Sequence, residues 1–504
     1  MKLNYFDGFG TRIFNVIQNN NRTLLLWAIA LIFLSYLITR IILAFSYAPD
    51  ICVGEDNNIW NIQKMLLGEA LYTNPSSSPF EVFQYSPLSQ YPIYWIAAIL
   101  DLTPGKDVHA FFIIGRLLVL LYNLITYYIV YSIFTKLFKA DKLLSFTVSF
   151  VALLLLTRAG FVIRPDALFH LTLVYSIYFM LKYIMLEKKW INLLITAFLI
   201  ATSIMVKQNG IQLILIISAF LLVYDRFKIF LQFTLYFGIF IGIYFAFFYS
   251  IYGELFFTNT IGGISNPINF AYGFTVWDIF FNHYFFLIIV TLYISLTSLA
   301  VSKYQEYKFL SSLALGTLVF AIMTSLKEGS GISYYSDFLT IAVILTYAYI
   351  SVHKISIVQS KSIYTFVLIG VLLFVPNTMA SKYFHDHIKH VGSEPKLHYL
   401  HAQEISAQIK KIEYLNNTVI FTPDKYIKNF IPELSILPNT EYYSVSPYNY
   451  DRVTTLFKRG EILILMNGQN SPEKDRTILQ MKLQNCNFER QEVFDDFVLY
   501  KIIE

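Results

Sequence analysis

Glu55 and Asp56 stand side by side just before Ile59, Ile62, Met65 and Leu66, whose spacing predicts an amphipathic helix. Capping accounts for such a pair by itself, with Asp56 as N-cap and Glu55 beside the positive end of the helix dipole. A second group, TRAGFVIRPDALFH, sets Arg164 and Asp166 on either side of Pro165, a usual first-turn residue. Dipole complementation by Asp166 and headgroup anchoring by Arg164 explain that group equally well. A third, IMVKQNG, puts Lys207 directly after an apolar helix that Gly210 breaks, where a snorkelling anchor is the ordinary reading. Together these residues supply carboxylates able to take a proton and fixed cations able to hold a leaving anion.

The elements that must position them are set by composition. The chain has 504 residues, 56% hydrophobic and 14% charged, with 46 Phe and 38 Tyr. A soluble globular domain carries about 25% charge, so a soluble enzyme is excluded and an α-helical polytopic membrane protein is expected. A hydrocarbon core ~30 Å thick needs about 20 apolar residues per crossing. The spans fall at 24–47, 108–135, 143–157, 166–186, 190–206, 210–224, 229–252, 279–300, 309–326, 334–352 and 362–379, eleven in all. The first is too long for a signal-peptide core and is expected to be retained. Pro87 to Leu100 is short for a crossing and reads as re-entrant or interfacial.

Basic residues concentrate in cytoplasmic loops, which orients the spans. With the N-terminus inside, the inner connections hold Arg22, Lys136, Lys139, Lys142, Lys188, Lys189, Arg226, Lys228, Lys303 and Lys308 among others. Before the tail, the outer ones hold Lys64, Lys106, Arg158, Arg164, Lys207 and Lys327. The acids gather outside, Asp50, Glu55, Asp56, Asp166 and Asp337 among them, so chemistry is expected on that face, with loop 48–107 foremost. A cation placed against the bias, as Lys207 is, invites a functional reading. From Ser381 the hydropathy falls; helices near 398–413 and 473–484 and strands at 418–422, 461–465 and 496–502 predict a small extracytoplasmic α/β domain over 381–504. No Gly-rich phosphate loop opens its helices. Cys52 and Cys486 make no disulfide framework, and the scattered basic residues give no nucleic-acid footprint.

Outside the cytoplasmic membrane no nucleotide-sugar pool is expected, so a glycosyl donor there would be a polyprenyl phosphate with its tail in the bilayer. Its phosphate is a good leaving group that fixed cations stabilise. A carboxylate within about 2.6–3.2 Å of an acceptor hydroxyl completes the requirement.

GED followed by LLGEALY and QYSPL, then RPDAL, then KQNG, in this order and spacing, resemble the GT-C superfamily of membrane glycosyltransferases over roughly residues 24–380. The likeness is to the protein O-mannosyltransferase and aminoarabinose-transferase group. It implies a transfer from a polyprenyl-phosphate-linked hexose or pentose to an extracytoplasmic lipid, glycan or protein, by inverting displacement in the cytoplasmic (inner) membrane. It implies that the acid thirteen positions before the LLG glycine, Gly68, is the catalytic base, which is Glu55. Relatives carry Asp then Glu where this chain has Glu then Asp, so the base is open between Glu55 and Asp56. Asp166 matches an acid that orients acceptor or sugar, and Arg164 and Lys207 match positions that meet donor phosphate. Members differ in their use of a divalent metal, and no His cluster here decides it; no cofactor is assigned.

Gln84 and Tyr85 of QYSPL are expected to wall the pocket. Tyr334 and Tyr335, at the mouth of a later span that also carries Lys327, are candidates to meet the donor phosphate, against an interfacial tyrosine belt as the alternative. The aromatic, Asn-rich stretch 253–273 suits sugar stacking and equally an ordinary interfacial loop. A transporter or flippase would show mid-membrane charges and repeats, whereas only Arg40 and Arg116 lie well inside spans, towards their outer ends. A polymerase would be expected to place its working residues in later loops.

Overall fold

Long apolar runs have no water to satisfy backbone groups in a bilayer, so they close their own hydrogen bonds as helices. A computed structural model describes residues 4–51, 54–77, 82–156, 158–186, 188–352, 367, 370, 391–437, 451–468 and 486–503. Its helices are α1 (Asn4–Ala44), α2 (Glu55–Leu66), α3 (Tyr91–Ile99), α4 (Val108–Ser132), α5 (Lys142–Leu155), α6 (Pro165–Met185), α7 (Trp190–Val206), α8 (Ile211–Tyr224), α9 (Phe227–Tyr252), α10 (Glu254–Thr260), α11 (Phe270–Val301), α12 (Gln305–Ser325) and α13 (Ser336–Val352). Among the described residues six are long and apolar enough to cross a membrane: α1 from Arg22, α4 with its extension to Leu137, α6, α9, α11 and α12. Shorter apolar helices cover α5, α7 and α8. The expected span 362–379 lies outside the described residues, apart from 367 and 370. Leu231, Leu235, Ile239 and Ile243 of α9 are exposed, an apolar face that suits lipid and not water.

Helix α3 has nine residues, too few for a hydrocarbon core of ~30 Å. It buries Ile93 and Ala97 and exposes Trp95, Ile99 and Leu100, as an interfacial helix does. Helix α2 begins two residues earlier than expected. Its N-cap is Gly54, in the left-handed region at φ 104°, and Asp50 accepts from Gly54 N (3.4 Å) and Glu55 N (3.3 Å). Asp56 is therefore not the cap; Asp50 reaches the orphan amides from four residues back.

The tail forms α14 (Ser393–Ile409), β1 (Val419–Phe421), α15 (Ile427–Phe430), β2 (Ile436–Leu437), α16 (Asp451–Lys458), β3 (Ile462–Asn467), β4 (Asn487–Phe494) and β5 (Phe497–Ile503). The sheet order is β2-β1-β3-β5-β4. Strand β1 pairs parallel with β2 and β3, and β5 pairs antiparallel with β3 and β4. The expected helix at 473–484 lies outside the described residues. This domain shares a core with α2, α3 and the start of α4, where Ile59, Trp60, Ile93 and Phe111 pack with Tyr399, Ile405, Ile427 and Phe430.

Candidate active site

Pro165 opens α6 after an extended Arg164 (φ −139°, ψ 162°), which puts Asp166 in the first turn. Lys207 ends α7, and Gln208–Gly210 turn the chain into α8. Gly210 is required there: a Cβ would lie 2.6 Å from Ile204 N and from Ser203 Oγ. The turn brings Lys207 Nζ to 2.7 Å from Asp166 Oδ1, with both side chains almost fully buried. Arg164 Nε lies 3.5 Å from Asp166 Oδ2, and Arg164 Nη2 donates to Tyr85 Oη at 3.1 Å. The Lys207 ammonium sits 5.4 Å from the centre of the Tyr334 ring.

Tyr85, Arg164, Lys207 and Tyr334 border a cavity of about 450 Å³, with Asp166 buried behind the two cations. Its polar lining includes Gln84, Tyr85, Arg164, Lys207, Lys327, Ser330, Ser333 and Tyr334, and its apolar lining includes Ile204, Met205, Ile211, Phe245, Phe256, Phe257 and Phe320. Stretch 253–273 thus contributes aromatic wall. Gln208 Nε2 donates to Gln84 O (2.6 Å) and Thr260 O (2.9 Å), tying the first outer loop to that stretch. Burial holds Lys327 down at about 8, because desolvation penalises an ammonium.

Behind Asp166 and Lys207 lies a second polar group. His170, one turn after Asp166, places Nδ1 3.3 Å from Asp337 Oδ1, and Gln212 Nε2 donates to Asp337 Oδ2 at 2.5 Å. All three are buried. The spacing of Asp166 and His170 puts them on one helix face and was the available signal for His170; its meeting with Asp337 across 167 residues of chain had none.

Glu55 and Asp56 are not in this hollow. Glu55 is fully buried and pairs with Arg116, Nη2 to Oε2 at 2.9 Å. Its oxygens also accept from Ile51 N (2.9 Å) and Ile163 N (3.0 Å). Asp56 pairs with Lys428 of α15 at 2.5 Å, and Lys428 also bonds Asn57. Burial and the neighbouring Asp56 push the Asp50 carboxyl up to about 7, against the pull of Lys425 2.6 Å away. Arg116 and Lys428 supply buried counter-charges that hold the acidic pair inside protein, apart from the cavity. Glu55 still bears on the cavity indirectly: with Asn58, which donates to Ile163 O at 2.9 Å, it fixes the backbone next to Arg164. Tyr335 also departs from expectation. It is buried, stacked on Phe280 at 3.8 Å and bonded to Ser325, while its neighbour Tyr334 lines the cavity.

Among the described residues, one group has ligand atoms close enough to hold a metal ion, His401, Asp495 and Asp496, and it lies in the C-terminal domain.

The helices and the small C-terminal domain define a polytopic membrane protein with the fold of the GT-C glycosyltransferases. The structure is similar to that of ArnT from Cupriavidus metallidurans bound to undecaprenyl phosphate, with TM-score 0.58 and 12% identity, covering 94% of this chain and 97% of that one. It is similar to archaeal oligosaccharyltransferase AglB from Archaeoglobus fulgidus in complex with an inhibitory peptide and a dolichol-phosphate (TM-score 0.55, 10% identity, 91% of this chain and 71% of that one). Arabinofuranosyltransferase AftD from Mycobacteria matches with TM-score 0.54 and 10% identity, over 96% of this chain and 40% of that one. No protein-family model and no curated protein matches the sequence.

Proposed function

We propose that the protein transfers a sugar from a polyprenyl-phosphate-linked donor to an acceptor hydroxyl outside the cytoplasmic membrane. The observation that carries this reading is that Lys207 and Arg164, both drawn to the buried carboxylate of Asp166, line a cavity with extensive apolar walls. Cations beside an apolar wall suit a ligand that is phosphate at one end and isoprenoid at the other. The polyprenyl phosphates bound to ArnT and AglB support the donor class.

Lys207 and Arg164 hold the donor phosphate, with Lys327 and the Tyr85 and Tyr334 hydroxyls around it. Drawing the two cations onto phosphate releases Asp166, which takes the proton from the acceptor O–H. The acceptor oxygen forms its bond to the anomeric carbon from the opposite side, inverting it. The carbon–oxygen bond to phosphate breaks with its electron pair remaining on the phosphate. Asp166 is thus the base in this reading. Glu55 is a positioning residue, acting through Ile163 and Arg164, and Asp56 anchors the outer domain.

Mass spectrometry of envelope lipids and glycans from cells with and without the protein tests the function. Loss of one sugar from a product, with accumulation of a polyprenyl-phosphate sugar, is expected. Identical profiles under conditions where the protein is made would count against it.

A further inference from the structure

A second cavity, about 320 Å³, lies against the first outer loop, lined by Met65, Gly68, Glu69, Tyr91, Tyr94 and Tyr252 among others. It is a built feature. Gly68, at φ 84°, turns the chain back after α2, so that Glu69 N bonds Lys64 O (3.0 Å) and the Glu69 carboxylate meets Lys64 Nζ at 2.9 Å. A left-handed turn of this kind favours glycine. On the opposite side the Tyr91 and Tyr252 hydroxyls bond at 2.9 Å, joining interfacial α3 to the outer end of α9. Tyr72 forms the partition from the larger cavity. Its buried ring meets Tyr252 edge-on at 4.9 Å on one side and Phe256 at 5.9 Å on the other, and its hydroxyl bonds Tyr85 O at 2.7 Å.

We infer that this second cavity binds a neutral glycosyl residue of the acceptor, next to the donor site and at the membrane boundary; the inference rests on the transferase reading above. Tyrosine faces pack against the C–H faces of a pyranose while their hydroxyls and a carboxylate bond its hydroxyls. An anionic ligand is disfavoured, because Glu69 lines the cavity and the nearby ammonium, Lys64, is paired with it. The apolar exposed face of α3, Trp95 and Ile99, lies beside the cavity and suits an acceptor whose anchor remains in lipid.

The test uses the full chain in lipid nanodiscs and a long-chain alkyl glucoside bearing a diazirine on its sugar. Photolabelling is expected on peptides containing residues 65–72 and 91–95. Tyr91→Ala and Glu69→Ala are expected to reduce it roughly threefold to tenfold, as loss of one stacking or hydroxyl-binding group does. Tyr91→Phe, which keeps the ring, should retain most of it and shows that the fold survives. Excess undecaprenyl phosphate should leave it unchanged. Label spread over other outer segments, undiminished in both alanine variants, or displaced by undecaprenyl phosphate would overturn the inference. Undecaprenyl phosphate binding in the same sample separates the two readings: its absence with this labelling intact counts against the donor site alone.

Discussion

Lys207 and Asp166 lie 41 residues apart on different helices and meet at 2.7 Å beside Arg164. A carboxylate held between two cations is a resting arrangement that a phosphate is suited to open, since it competes for the same donors. Asp166→Asn should lower turnover by about 10²–10⁴ while undecaprenyl phosphate affinity is kept or strengthened, since the carboxylate no longer competes for the cations. Steady-state rates and donor binding, measured on one preparation, check this; wild-type turnover in the variant would remove Asp166 as base.

Glu55→Gln takes the only charge paired with Arg116 among the described residues. Breaking a buried pair from one side costs roughly 3–5 kcal/mol, so a fall in melting temperature and folded yield is expected. Exchanging both residues, Glu55→Met with Arg116→Met, should not recover that stability, because Ile51 N, Ile163 N, Ser46 O and Ala48 O would lose their buried partners. A Glu55→Gln protein as stable as wild type but without turnover would return the base to Glu55.

Asp50 gives a pH signature. Its folded carboxyl is raised to about 7 by burial first and by Asp56 second, whereas an unfolded Asp titrates near ~3.9. Between those values the folded chain binds a proton that the unfolded chain has released. The contribution is therefore complete below about pH 4 and lost as pH rises through 7. Asp50→Asn should remove this component, seen as a flatter difference in melting temperature from pH 4 to 7. An unchanged slope would contradict it.

Lys327 gives the opposite window. Burial brings its ammonium down to about 8, so the free protein loses that cavity cation above pH 8. Donor affinity should weaken from pH 7 to 9. Lys327→Arg, which stays charged, should weaken less over the same range, as titration with undecaprenyl phosphate would measure.

Much of the cavity was legible along the chain because local signals placed its parts. Pro165 marks the start of α6, Gly210 marks the break after α7, and Lys207 and Arg164 stand out as cations at helix ends. The shortness of the helix within 87–100 followed from the length of its apolar run. What stayed hidden depended on contacts distant in sequence. Arg116, 61 residues after Glu55, draws that acid into the protein, and Lys428, in the tail, does the same for Asp56. Tyr334 and Tyr335 are adjacent in a tight turn that sends one to the cavity and the other to the core. Strand β4, NFERQEVF, is a polar edge strand without the apolar run that marked its neighbours.

The central claim is that Lys207 and Arg164 hold a lipid phosphate. Native mass spectrometry of the purified protein titrated with undecaprenyl phosphate tests it most directly. One saturable adduct is expected in wild type, weakened about tenfold to a hundredfold in Lys207→Ala and in Arg164→Ala, the usual loss for a charge-assisted contact. Equal affinity in wild type and both variants, with all three folded, would contradict it.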